Sequence, residues 1–158
     1  MRLSSALLSA SLLTLVACGG AGEDVDIAVL VQTGKYSAAI SAAETQLTTV
    51  EKGSEAHKDL LINYAAALAE SDAEKARDEF LAFAKAHEGL IAPTDYKYVV
   101  SQLRTHDSYV EAIDVMDAGK KRWPEDETMD LMVAALKQDI ESSGDAAAAA
   151  KMKGLGYM

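Results

Sequence analysis

The chain has 158 residues, 49% of them hydrophobic and 25% charged, with two prolines, one cysteine and a formal net charge of −10. That apolar content excludes a disordered chain, and the length fits one ordinary globular domain. The acidic balance makes nucleic acid and anionic lipid headgroups poor partners.

The chain opens on Met1 and Arg2, and residues 3 to 16 carry no charge. A basic start followed by an apolar run is a secretory-signal layout. The run falls short of the roughly 20 residues that span a bilayer, and Gly19, Gly20, Ala21 and Gly22 follow it instead of a basic stop-transfer segment. Leu15-Val16-Ala17-Cys18 closes the run. This tetrapeptide resembles the lipobox of bacterial lipoproteins, which implies cleavage before Cys18 and acylation of its sulfur. Residues 1–17 are then a signal peptide and residues 18–23 a lipidated, glycine-rich tether. Two or three acyl chains give stable anchoring, at about 0.8 kcal/mol per buried methylene. Gly19 stands where an aspartate would retain many Gram-negative lipoproteins at the inner membrane. The resemblance therefore implies an outer-membrane location facing the periplasm. Cys18 is the sole thiol, so the mature chain has no intramolecular disulfide, zinc site or cysteine catalysis. Loss of Arg2 makes its formal charge −11.

Residues 24–156 read as one helical domain with an internal period. The segments 34–39, 71–76, 107–112 and 144–149 align, and their final alanines, Ala39, Ala76, Ala112 and Ala149, lie 37, 36 and 37 residues apart. Each opens on turn or cap chemistry and runs into helical spacing, as in Tyr36, Ala39, Ile40, Ala43 and Leu47. Ser71 with Glu74 and Ser108 with Glu111 have capping-box spacing. An amphipathic stretch precedes each segment: Ile27 to Val31, Leu60 to Leu68, Tyr96 to Leu103 and Met129 to Ile140. Lys52-Gly53-Ser54, the stretch from Gly89 to Thr94 with Pro93, and Trp123-Pro124 separate the pairs. Pro124, with acids behind it, suits a helix start. The run Ala146 to Ala150 completes a last helix, which Gly154 and Gly156 end, and which caps the apolar edge. No β-strand pattern of useful length is present.

Helix pairs at this period resemble the tetratricopeptide repeat. The third unit matches best, through Tyr96, Val99, Tyr109, Ala112, Met116 and Pro124. It departs from the family at Val100, and the first two units lack the terminal proline. The resemblance implies an all-α fold of seven to eight helices, with antiparallel pairs stacked as a short right-handed solenoid. A Sel1-type repeat and an irregular helical bundle are the alternatives. By the same resemblance the first helices line a groove, which places Lys58, Leu61, Ala65, Lys97, Ser101 and Arg104 on the binding face, an apolar floor beside cations. The asparagines of the carboxylate-clamp version are missing. Tyr64, Tyr96, Tyr98 and Trp123 are packing residues or interface anchors.

His57, His87 and His106 fall near helix ends in different units and read as exposed. No pair has zinc-hydrolase spacing, and neither a phosphate loop nor a nucleophile elbow occurs. The expectation is therefore a non-enzymatic lipoprotein with no cofactor or metal, binding a peptide segment or envelope protein. A lipoprotein that binds cell-wall glycan or a small ligand is the first alternative, and a hydrolase the second.

Overall fold

The computed structural model describes residues 25–158. The signal, Cys18 and the tether lie outside the described residues. Eight helices follow in chain order: α1 (Ile27–Gln32), α2 (Tyr36–Leu47), α3 (Glu55–Leu68), α4 (Ala73–Ala86), α5 (Pro93–Thr105), α6 (Tyr109–Arg122), α7 (Glu127–Ser143) and α8 (Ala146–Gly154). The fold is all-α and repeat-like, with helices packed in adjacent pairs, and no strand occurs among the described residues. No helix among them is long and apolar enough to cross a membrane.

Local chemistry sets the helix starts, not always where serine spacing predicts. The cap of α4 is Asp72, not Ser71: its carboxylate accepts from the Lys75 amide at 3.1 Å. Ser108 does sit at the N-cap of α6, but its side chain makes no capping bond. Its hydroxyl donates instead to the His106 carbonyl at 3.4 Å. Neither predicted capping box forms. Asp26, Ser54, Asp126 and Asp145 cap α1, α3, α7 and α8 through side-chain oxygens. Aspartate and serine suit this position because they satisfy amides that have no partner in the first turn.

The two prolines exchange the roles expected of them. Pro93 is the first residue of α5, where its missing N–H costs nothing. Pro124 lies in the turn ahead of Asp126, outside α7. Gly144 ends α7 in the left-handed conformation at φ 72°, its amide reaching the Ile140 carbonyl at 3.0 Å. Gly154, expected to stop the last helix, belongs to α8, and the positive-φ glycine beyond it is Gly156.

The first helix of each pair contacts the first helix of the next, α1 on α3, α3 on α5 and α5 on α7. Second helices α4, α6 and α8 form the other layer, while α2 packs against α1 and α3. Small residues permit the close approach. Ala39, Ala76 and Ala112 are fully buried, as the period implies. In the fourth unit the buried alanine is Ala148 and the aligned Ala149 is only half-buried. The cap keeps register, Asp145 standing four residues before Ala149 as Asp72 does before Ala76, so it is the buried face of α8 that shifts by one residue.

One apolar core runs the length of the stack, from Ile27 and Val31 to Ile140 and Met152. Its third unit contains a close helix approach. Gly119, inside α6, lies where an added Cβ would meet Met129 Sδ at 2.8 Å and Tyr96 Cδ1 at 2.9 Å. Tyr96 also meets Phe80 edge-on at 4.9 Å between ring centres and Trp123 at 5.5 Å. Ion pairs bind the second-helix layer across its seams. Asp114 of α6 pairs with Lys151 of α8 at 2.6 Å and with Arg77 of α4 at 3.4 Å.

Candidate functional site

The first-helix layer carries two open hollows, one on each side of α5. The larger, of about 680 Å³, lies among α1, α3 and α5, and its polar lining includes Asp26, Gln32, Asp59, Asn63, Asp95 and Tyr98. Two of these carboxylates are held by helix ends. Asp26 accepts from the Val29 amide at 3.2 Å and Asp95 from the Ala92 amide at 2.8 Å. The Asn63 amide donates to the Asp59 carbonyl at 2.8 Å, leaving its own oxygen to accept. Burial, then the neighbouring Tyr36, pushes the Tyr98 phenol above its ordinary range, so it stays a neutral hydroxyl. The smaller hollow, of about 200 Å³, lies between α5 and α7. Lys97, Ser101 and Arg104 line it from α5, and Leu131, Met132 and Ala135 from α7. Arg104 is fixed by Asp139 of α7 at 2.6 Å. Leu131 is 58% exposed, a large apolar side chain left open to solvent.

Three of the six predicted groove residues, Lys97, Ser101 and Arg104, are thus gathered in one hollow. The three from α3 are not. Leu61 and Ala65 are buried, 6% and 0% exposed, and so form no open floor. Lys58 is partly buried and paired with Glu55 and, at 3.7 Å, with Asp59. Hydrogen bonding to Glu55 holds its ammonium above the usual lysine range.

The error is one of register. Counted from the N-caps Ser54, Ala92 and Asp126, the fifth residue of each helix is Asp59, Lys97 and Leu131. The ninth is Asn63, Ser101 and Ala135. These equivalent positions all line the two hollows. Across the layer the face therefore changes from acid and amide on α3, through cation and hydroxyl on α5, to apolar on α7. The cap at Ser54 was the signal that could have found Asp59 and Asn63.

The histidines differ from expectation. All three are half-buried, and His57 and His87 belong to the same pair, α3 and α4, with ring centres 6.0 Å apart. His57 Nδ1 accepts from the Gly53 amide at 3.0 Å, and its ring meets Phe83 edge-on at 5.0 Å. His106 packs edge-on against Tyr36 at 5.2 Å, its Nε2 buried without a partner. Of the four aromatic residues named from the sequence, Tyr64 and Tyr96 are core, each 4% exposed, while Tyr98 and Trp123 are half-buried. Among the described residues no group of three or more histidine, aspartate, glutamate or cysteine side chains is placed to hold a metal ion.

No family model, curated protein or solved structure matches this chain.

Proposed function

We propose that this protein is a lipid-anchored adaptor of the bacterial envelope, held at the periplasmic face of the outer membrane through Cys18, which binds a peptide segment of an envelope protein on its first-helix layer. The observation that carries the reading is the row of equivalent positions Asp59, Lys97 and Leu131, on the first helices α3, α5 and α7 of three successive pairs, opening into hollows on the two sides of α5. A face of that kind recognises an extended segment: main-chain groups meet Asn63 and Ser101, and side chains are selected by charge and shape along the row. Tethering supports the reading, because it raises the effective concentration of the module toward partners at the same membrane. The resemblance to tetratricopeptide repeats belongs with this proposal, since that family binds peptides on its first helices.

Affinity purification of the anchored protein from detergent-solubilised membranes, followed by mass spectrometry, tests it. The wild type should recover a protein that the doubly substituted Lys97→Glu, Leu131→Asp variant does not. Recovery of no partner, or of the same partner by both, contradicts the reading.

One observation favours a second reading. The larger hollow lies within the ~300–1,000 Å³ range of small-molecule sites, and its mixture of carboxylates, amides and a phenol suits a hydroxyl-rich ligand such as cell-wall glycan. Thermal stabilisation by soluble muropeptides, abolished by Asn63→Leu, would decide for it.

A further inference from the structure

The opposite layer carries a groove of different chemistry. Between α4 and α6 lies an open hollow of about 490 Å³, floored by half-buried Leu81 and Ala118 above buried Ala84 and Tyr96, and rimmed by Lys85, Lys121 and Arg122 with one carboxylate, Glu88. Three cations against one carboxylate stand out on a chain of net charge −10, and two of them belong to Lys120-Lys121-Arg122, the one run of three consecutive cations in the sequence.

The groove is formed in advance. Tyr96 is locked between Phe80 and Trp123, and Gly119 leaves no space for it to retreat. Arg122 lies over the Trp123 ring at 4.5 Å and donates to the Glu88 carbonyl. A guanidinium has five N–H donors, so this anchoring leaves others for a ligand. Lys121 is paired with Asp117 at 2.6 Å yet remains 70% exposed. Lys85 makes no ion pair among the described residues.

We propose that the α4–α6 groove is a second docking surface, taking an acidic amphipathic segment of a partner protein. An apolar side chain seats on Leu81 and Ala118, and flanking carboxylates meet Lys85, Lys121 and Arg122. Charge complementarity identifies the occupant, because the apolar floor alone would accept any hydrophobic side chain while the net positive rim, three cations to one carboxylate, favours acidic ones. The surface stands independently of the first-helix hollows, and occupation of both would make the protein a bridge between two partners.

The sequence contains one tryptophan, Trp123, and its contact with Arg122 supplies a reporter. Displayed random peptides are selected on the soluble mature domain, residues 19–158, and each selected sequence is then titrated while Trp123 emission is followed. Peptides with acids flanking a large apolar residue should be enriched and should shift the emission. They should bind the Lys85→Glu, Lys121→Glu variant about tenfold or more weakly, with weakening by salt, and bind Lys97→Glu unchanged. Both substitutions are at exposed positions, and circular dichroism confirms that the variant is folded. The proposal fails if no acidic amphipathic peptide is selected. It also fails if such peptides bind the charge-reversed variant as tightly, or respond to Lys97→Glu instead. Co-sedimentation with phosphatidylglycerol vesicles that depends on Lys85 and Lys121 would overturn it in favour of a membrane contact.

Discussion

Gly119 and His57 are residues whose environments determine what a single substitution does. At Gly119 an added methyl group has nowhere to go, since the atoms it meets belong to Tyr96 and Met129, both in the core. Gly119→Ala should destabilise the protein by about 1–3 kcal/mol, the usual cost of overpacking, although alanine favours a helix intrinsically. Urea denaturation measures it, and an unchanged midpoint would show that the third unit is looser than its geometry indicates. His57 makes the fold sensitive to acid. Burial, then His87 and Lys52, lowers its pKa below the ordinary histidine value of 6.5, and its Nδ1 must stay unprotonated to accept from Gly53. The folded pKa lies below the unfolded one. The contribution of His57 is therefore complete above 6.5 and is lost as pH falls through 6.5 toward the folded value. Stability should drop as pH falls below the ordinary histidine value of about 6.5 in the wild type, and by less in His57→Gln. Parallel pH–stability curves for the two proteins would refute the assignment.

At the scale of the helices, the sequence displayed existence and order well and starting points less well. All eight helices follow the apolar spacing, and Ala39, Ala76 and Ala112 mark the close contacts of their units. The misplaced cap of α4 comes from choosing between adjacent polar residues. Ser71 and Asp72 are both good caps, and only the chain path decides between them. Asp72→Ala should cost about 1 kcal/mol and Ser71→Ala nearly nothing; thermal melts giving the reverse order would return the cap to Ser71. A one-residue error at a start turns every side chain by about 100° on a helix of 3.6 residues per turn. Lys97, Ser101 and Arg104 fall in the hollow beside α7, whereas Leu61 and Ala65 stand two and one positions short of the α3 equivalents of Ser101 and Arg104 and fall in the core. The histidine pair was illegible for a different reason. His57 and His87 are 30 positions apart, and their proximity depends on how α3 packs on α4.

For the molecule as a whole, the two layers divide the chemistry between them. The first-helix layer grades from acid to apolar, and the second-helix layer carries the cationic α4–α6 groove. Small-residue contacts and ion pairs within each layer hold the helices of these faces together. The sequence revealed the periodic core behind them because burial imposes spacing; it did not reveal the faces, because an exposed polar residue leaves no periodic trace. Anchoring is a separate prediction at this scale. Labelled palmitate should enter the wild type and not Cys18→Ser, and equal labelling of both would remove the anchor. The central claim concerns the first-helix face, and site-specific photocrosslinking in cells tests it most directly. With a benzophenone side chain in place of Leu131, the anchored protein should form a discrete adduct with one envelope protein, and the same probe at exposed Ser142 should not. No adduct from position 131, or the same adducts from both positions, would contradict the assignment of that face as the binding surface.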